Sequence, residues 1–357
     1  MKVALIGVGQ AGGKLAESLA SHDLARSSVT GTLAVNTARA DLQPLHIDTL
    51  LVGEAQVNGH GVGGDNELGA RVMDADATEV MEALSGRVTS ECDAILLVAG
   101  LGGGTGSGGA PVLARELSEV YDIPVYALGV LPGRNEGALY QKNAGRSLKT
   151  LAREADSVIL VDNDAWRAAG ESMDEGFAAV NDRIAQRVGL LLAAGEYEGR
   201  DVAAESVVDS SEVINTLREG SLAAIGYASA ASSEDAAENL NAVTSVARNA
   251  LLTGTSLPDA TEASSALLVV AGDPDRISRK GVESARSWLG EETGTMQVRG
   301  GDMPLDSDRL AALVLLGGVE RSPRVREFFE RAGAAAEEVE RADATESLVS
   351  DDLDGLL

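Results

Sequence analysis

Residues 100–109 read GLGGGTGSGG, with seven glycines in ten positions, directly after the apolar run DAILLVA. Glycine loses more freedom on ordering than any other residue, so such a stretch implies a backbone that must approach something closely. Two further glycine-rich stretches precede it, GVGQAGGK at 7–14 and GVGGDNELG at 61–69. Backbone amides at such turns, together with a helix N-terminus, cradle phosphate oxygens without needing a lysine. A flexible linker is excluded for 100–109, because the stretch separates a buried strand pattern from an amphipathic helix pattern.

Two common phosphate-binding patterns can be tested directly. Gly7, Gly9 and Gly12 satisfy G-x-G-x-x-G between a strand and a helix, as in a dinucleotide fold. That fold wants an acid at the end of the second strand for the ribose, and the residue there is Asn36 in AVNTARAD. A P-loop built on Gly13 and Lys14 needs glycine at 8 and Ser or Thr at 15, where the chain has Val8 and Leu15. A second chemical candidate is the acidic pair Asp209 and Glu212 in VVDSSEV. Its D-x-x-E spacing is also that of a helix N-cap with its third-residue partner, and spacing alone leaves both readings open. Cys92 is the single cysteine, which excludes an internal disulfide and a cysteine metal cluster. It reads as a small buried apolar residue. His22, His46 and His60 lack ligand spacing and are assigned no chemistry.

These residues must be held by elements that the apolar pattern outlines. KVALIG, GTLAV ending at Asn36, DAILLVAG, IPVYALGVL and SVILVDN read as near-continuous apolar strands. Helices alternate with them: GKLAESLA, TEVMEALSG, and APVLARELSEVY with Val112, Leu113, Leu117 and Val120 at helical spacing. This pattern predicts a parallel sheet covered on both faces. MDEGFAAVNDRIAQRVGLLLAA predicts one long helix. Beyond GRDVAAES, helices and the strands SSALLVVAG, GTMQVRGG and RLAALVLLGG predict a smaller α+β domain. The expected division is a nucleotide-binding domain over 1–172, a central connecting helix over 173–199 and a second domain over 200–332. An acidic, disordered tail is expected over 333–357.

Composition narrows the function. The chain has 357 residues, 56 acidic against 29 basic, and a formal net charge of −27. Sequence-independent binding to nucleic acid or an anionic membrane surface needs the opposite charge. Only five of the basic residues are lysines. Short carboxylates hold water and cations, whereas lysine exposes a long apolar stem. At molar salt the Debye length falls to ~3 Å and such charge density is tolerated. The composition reads as that of a salt-adapted cytoplasmic protein. No apolar run reaches the ~18 residues of a membrane span, and MKVALIGVG does not have the form of a signal peptide.

GGGTGSG at 102–108 resembles the signature loop of the tubulin and FtsZ superfamily, and further pieces follow in that family's order up to about Ala332. The resemblance implies that Gln10, Ala11, Gly12, Gly13 and Lys14 bind the phosphates of GTP, together with Gly102, Gly103, Gly104, Thr105, Gly106, Ser107 and Gly108. It implies that Glu136 in NEG contacts the sugar and Asn163 in VDND the ribose or base. In GFAAVND, which resembles the start of the family's central helix, Phe177 would stack on guanine and Asn181 would hydrogen-bond its edge. Asp209 and Glu212 would be the catalytic acids of a loop that inserts into the next subunit's nucleotide site.

The match is neither plainly FtsZ nor plainly tubulin. Gln10 is tubulin-like, Tyr140 stands where FtsZ has an arginine, and Val207 stands where FtsZ has an asparagine. The long helical C-terminal region of tubulins is missing. This mixture resembles CetZ, the haloarchaeal tubulin-like family. The fold implied is a Rossmann-like parallel-sheet GTPase domain joined by a long central helix to a smaller α+β domain. The function implied is a cytoplasmic GTPase using Mg²⁺ that assembles head to tail with itself, hydrolyses GTP to GDP and phosphate at subunit interfaces and controls cell shape. Likeness to FtsZ would imply cell division instead. The leucine-bearing acidic tail would meet a protein partner. An NAD-dependent oxidoreductase would need an acid at Asn36 and a proton donor near a substrate cleft. An assembly protein without hydrolysis is disfavoured by the intact Asp209 and Glu212 pair.

Overall fold

The computed structural model describes residues 1–25, 27–165, 173–194, 196, 208–260 and 262–353, with residues 173–177 and 343–353 described by backbone alone. In chain order its first part reads β1 (Val3–Val8), α1 (Gly9–Ser21), β2 (Val29–Asn36), α2 (Arg39–Leu42), β3 (Thr49–Leu51), α3 (Glu54–Val57), α4 (Asn66–Ala75), α5 (Ala77–Leu84), β4 (Ala94–Gly100), α6 (Gly104–Val120), β5 (Val125–Leu131), α7 (Ala138–Glu154) and β6 (Ser157–Asp162). There follow α8 (Met173–Ala193), α9 (Ser210–Leu217), β7 (Leu222–Ala231), α10 (Leu240–Leu252), β8 (Glu262–Gly272), α11 (Arg279–Thr293), β9 (Val298–Pro304), β10 (Arg309–Arg321) and α12 (Pro323–Leu353).

The strands form one sheet in the order β3-β2-β1-β4-β5-β6-β7-β10-β8-β9. From β3 to β7 every neighbour is parallel, and β10 runs antiparallel to both β7 and β8. Alternate residues of the apolar runs feed two cores. On one face Ile6, Val8 and Leu97 pack with Leu113 and Leu117 of α6 and Leu148 of α7. On the other, Leu5, Leu96 and Val98 pack with Leu15 and Leu19 of α1, Ile184 and Val188 of α8 and Val213 of α9. After β1 the chain moves outward to β2, whereas β4 lies on the other side of β1. The carboxyl ends of β1 and β4 therefore mark a switch point, where open α/β sheets leave a crevice.

The second group of strands extends the same sheet. The strand pairing at the junction is Val158 with Leu222 and Ile159 with Ala223. The long helix expected over 173–199 is present as α8 but ends earlier, at Ala193, with Ala194 and Glu196 in a turn. Residue 199 and Val207 lie outside the described residues.

The expectation of disorder from residue 333 is corrected, because α12 continues as helix to Leu353. Pro323 opens it, where a missing N–H is harmless. Phe328, Ala332 and Ala335 are buried. Gly145 of α7 lets the two helices close, since a β-carbon there would lie 2.7 Å from that of Ala332. Beyond this anchor, alanine, glutamate and arginine are strong helix formers, and Glu337 pairs with Arg341 one turn on at 3.3 Å. Few apolar residues are needed once a packed end has nucleated the helix. Residues 354–357 lie outside the described residues.

Phe328 is fully buried in this anchor, so Phe328→Ala should lower unfolding stability by about 3–5 kcal/mol. Urea unfolding measures this, and a loss under about 1 kcal/mol would mean that α12 does not pack as described.

Candidate functional site

The site begins where β1 passes without a connecting loop into α1. Gly9, in the left-handed region at φ 74, makes that turn. Neither Val8 at the N-cap of α1 nor Gly103 at the N-cap of α6 supplies a side-chain cap. Asp65, Asp209 and Ser278 cap α4, α9 and α11, whereas α2, α3, α5, α7 and α10 start without a side-chain cap, as α1 and α6 do. Two helix N-termini thus meet at neighbouring strand ends with first-turn amides that no capping side chain takes up. Partial positive charge collects there.

The two turns pack directly on each other. A β-carbon on Gly106 would stand 2.7 Å from the Gly100 carbonyl oxygen and 3.0 Å from that of Val8. One on Gly9 would stand 2.8 Å from the Gly106 nitrogen, and one on Gly12 would run into the Val98 carbonyl. Gly103 differs, with nothing within 4 Å of the same position. It faces the open cradle. Gln10, Ala11 and Lys14 lie on the exposed face of α1, while Gly12 and Gly13 are buried. Gly102 and residues 104–108 are buried too, with Thr105 and Ser107 among them. The phosphate-loop candidates are therefore brought together.

The third glycine stretch joins them. Asn58, Gly59, Gly61, Gly63 and Gly64 all have positive φ. This winds the chain against α6, where a β-carbon on Gly104 would lie 3.0 Å from the Gly64 carbonyl carbon. Asn143 of α7, buried, donates its amide to the carbonyls of Gly64 (2.8 Å) and Gly102 (3.1 Å), tying two loops to one side chain. The Thr37 and Thr105 hydroxyls meet at 2.6 Å. Asp41 accepts from Gln10 at 2.9 Å and from the Asn36 side-chain amide at 3.1 Å, while the Asn36 side-chain oxygen Oδ1 accepts from the Thr37 amide. Asn36 is thus a turn-holding residue. Sequence reasoning missed Asn143, Thr37 and Asp41. A turn-forming Asn36 was a visible cue for Asp41 nearby, but nothing local marked Asn143.

Along the same sheet edge, the chain leaving β5 and β6 presents Glu136 and Asn163. A Glu136 carboxylate oxygen accepts from the Gly133 amide at 2.7 Å and from the Asn163 amide group at 3.3 Å. Buried Gln141 steadies the turn by donating to the Gly133 carbonyl at 2.7 Å. The Tyr140 ring lies beside Gly102 and is 45% exposed. Asn181 is half-buried on α8, and among the described residues no hydrogen bond links it to these loops. The Phe177 side chain lies outside the described residues.

Asp209 and Glu212 are elsewhere. Asp209 caps α9, accepting from the Glu212 amide at 3.1 Å and the Ser211 hydroxyl at 2.5 Å. The Ser211 hydroxyl, assisted by that amide, holds its carboxyl below the usual carboxylate range. Burial, reinforced by the Asp209 charge, pushes Glu212 up. Thr216 at the end of α9 abuts Gly317, which pairs with Ala223 near the start of β7. Through Val158 with Leu222 and Tyr126 with Ser157, that level continues to the starting ends of the parallel strands. The acid end of α9 lies near that level too, because the Arg299 charge acts on Glu212 and Arg299 donates to Ser265 at 2.8 Å, which pairs with Gly317. The glycine loops follow the finishing ends of those strands. A six-residue strand is about 20 Å long, so within one subunit the acids and the loops stand at opposite edges. Within the subunit the D-x-x-E pattern serves as a cap.

Among the described residues no cluster of three or more His, Cys, Asp or Glu is placed to hold a metal ion. No helix there is long and apolar enough to cross a membrane.

Comparison with known proteins gives two adjoining family matches. The Tubulin/FtsZ family GTPase domain matches residues 2–170, and the tubulin-like CetZ C-terminal domain matches residues 170–334. The tubulin-like protein CetZ2 of Haloferax volcanii is 65% identical over 362 residues, covering 100% of both chains. A solved structure of that protein, a GTPγS-bound protofilament, superposes with a TM-score of 0.91 over 95% of this chain and 100% of its own. The GDP-bound monomer of CetZ1 from the same organism is 45% identical, with a TM-score of 0.86 over 94% of this chain and 100% of its own.

The packing of the two turns separates their glycines experimentally. Gly106→Ala should destabilise the fold by about 1–3 kcal/mol through overpacking. Gly103→Ala, facing open space, should cost under about 1 kcal/mol, as expected at an N-cap. Equal losses in urea unfolding would contradict the arrangement.

Proposed function

Because this chain belongs to the tubulin-like CetZ family, we propose that it binds GTP, assembles head to tail with copies of itself and hydrolyses GTP where two copies meet. The observation that carries this reading is the separation of the site into two parts. A phosphate cradle at one sheet edge and an acidic pair at the other cannot meet within a subunit, but stacking puts one subunit's acids over its neighbour's cradle. That CetZ2 forms a GTPγS-bound protofilament supports guanine-nucleotide binding together with self-association.

In this proposal the amides of Gln10–Lys14 and Gly102–Gly108 hold the phosphates. Glu136 holds the sugar, Asn163 the ribose or base, and Phe177 and Asn181 hold the base. Phosphoryl transfer passes through a loose transition state, so catalysis is chiefly positioning and charge stabilisation. Asp209 of the neighbouring copy, ionised and exposed, orients the attacking water. Glu212, with its raised pKa, is the better proton acceptor of the two. Mg²⁺ would arrive on the nucleotide, held largely by phosphate oxygens and water, and would neutralise phosphate charge. We assign the chain to the cytoplasm and to control of cell shape, by analogy with the family. The division at 1–172, 173–199 and 200–332 is proposed on the same basis, supported by the family boundary at residue 170. The leucines of the acidic tail are proposed to meet a protein partner.

Asn181→Ala should weaken GTP binding by about 1–3 kcal/mol, because an asparagine pairs both a donor and an acceptor with the guanine edge. The preference for GTP over ATP should narrow accordingly. Unchanged discrimination in competition binding would remove Asn181 from the base site.

Two variants test the shared site. Asp209→Asn keeps the cap but loses the charge, and should bind GTP and assemble while hydrolysing it ~10²–10⁴-fold more slowly. Gly103→Trp should fill the cradle and leave the acidic pair intact. Mixing the two should restore part of the phosphate release, since the cradle of the first can meet the acids of the second. No recovery in a mixture shown by light scattering to co-assemble would mean that each subunit acts alone.

A further inference from the structure

Arg324 lies in the first turn of α12, far along the chain from every residue so far assigned to the nucleotide. It is buried, 7% exposed, against Asp162, which is 2% exposed. Its Nε donates to the Asp162 carboxylate, and its Nη2 donates to Asp164 at 3.3 Å. Its Nη1 stands 3.6 Å from Glu327. Glu327 in turn accepts from the Arg134 guanidinium at 2.8 Å, and the Arg134 backbone amide donates to Asp164 at 2.8 Å. These contacts close a ring through α12, the end of β6 and the loop that follows β5. Asn163 lies between the two aspartates that Arg324 holds, and Glu136 lies two residues beyond Arg134.

We propose that Arg324 is a positioning residue that straps α12 onto the nucleotide site and fixes Glu136 and Asn163 for the sugar. The proposal rests on the nucleotide reading above. Burying an ion pair gives little net stability, because desolvation offsets the attraction. What it supplies here is geometry. A planar guanidinium fixes the direction of two carboxylates at once, which a lysine cannot do. Whatever nucleotide binding contributes to the order of α12's first turn, that turn contributes equally to nucleotide binding. The C-terminal helix thereby becomes a handle on nucleotide affinity.

The test uses the full chain and two variants. Asp162→Asn/Arg324→Met removes both charges together, so no buried charge is left unpaired. It also leaves an acceptor for the Asp164 amide, which bonds the Asp162 side chain at 3.0 Å. Arg324→Lys keeps the charge and removes the fork. Hydrogen exchange without nucleotide reads the loop directly through the Glu136 amide, which bonds the Gly133 carbonyl at 3.0 Å. Titration with a fluorescent GTP analogue reads the consequence. In both variants the Glu136 amide should exchange faster than in the parent chain. GTP affinity should fall about 10-fold, with kcat at saturating GTP little changed. GTPγS should slow exchange in the first turn of α12 in the parent chain, and less so in the double variant. Unchanged loop exchange and unchanged affinity in both variants would reduce Arg324 to a structural role and overturn the proposal. If the parent chain bound no guanine nucleotide, the site reading would fail, and exchange of the Glu136 amide would still decide the positioning claim.

Discussion

Two backbone turns pressed together at the finishing ends of β1 and β4 constrain most of what surrounds them. Gly9, Gly12 and Gly106 lie where a β-carbon would meet main-chain atoms of the facing element. That closeness lets α1 and α6 start side by side and leave on opposite faces of the sheet. It also leaves their first amides without capping side chains. A buried helix start without caps is costly unless some other acceptor is supplied. Phosphate oxygens are such an acceptor. The supporting polar groups serve this arrangement: Asn143 ties the third glycine loop to the second, and Asp41 ties Gln10 to the turn after β2.

The opposite edge of the sheet carries the acids, and the distance between the two sets has a simple origin. The parallel strands are all entered at one edge and left at the other, so loops at their two ends never meet. α8, at 21 residues, is about 30 Å long and can span the sheet from the candidate base-binding residues to the starting edge of β1. There the Leu192 carbonyl accepts from the Met1 amino group at 2.7 Å. A rigid rod of this kind links the two edges mechanically.

Much of this was legible in the sequence, for physical reasons that differ by element. Glycine loops announce themselves because only glycine allows such close backbone approach, and fully buried strands announce themselves as unbroken apolar runs. Glu136 and Asn163 were each picked out by the ordered family motifs and not by spacing, and the hydrogen bond between them was not legible. Asn143 and Arg324 were not legible, because a side chain that bonds a backbone or a carboxylate across scores of residues leaves no local pattern. Asp209 and Glu212 were ambiguous by spacing, and the structure shows the cap within the subunit. The tail misled for another reason: its composition lacks the apolar content for a core, yet a helix anchored at Phe328 can extend without one.

The central claim, that the cradle is completed by a neighbouring subunit, is tested most directly by the rate of phosphate release from GTP per subunit as a function of protein concentration. The account predicts almost no release at high dilution, and a per-subunit rate that climbs steeply once subunits associate, in step with light scattering. A per-subunit rate that is substantial and constant across the same range, with or without assembly, would contradict it.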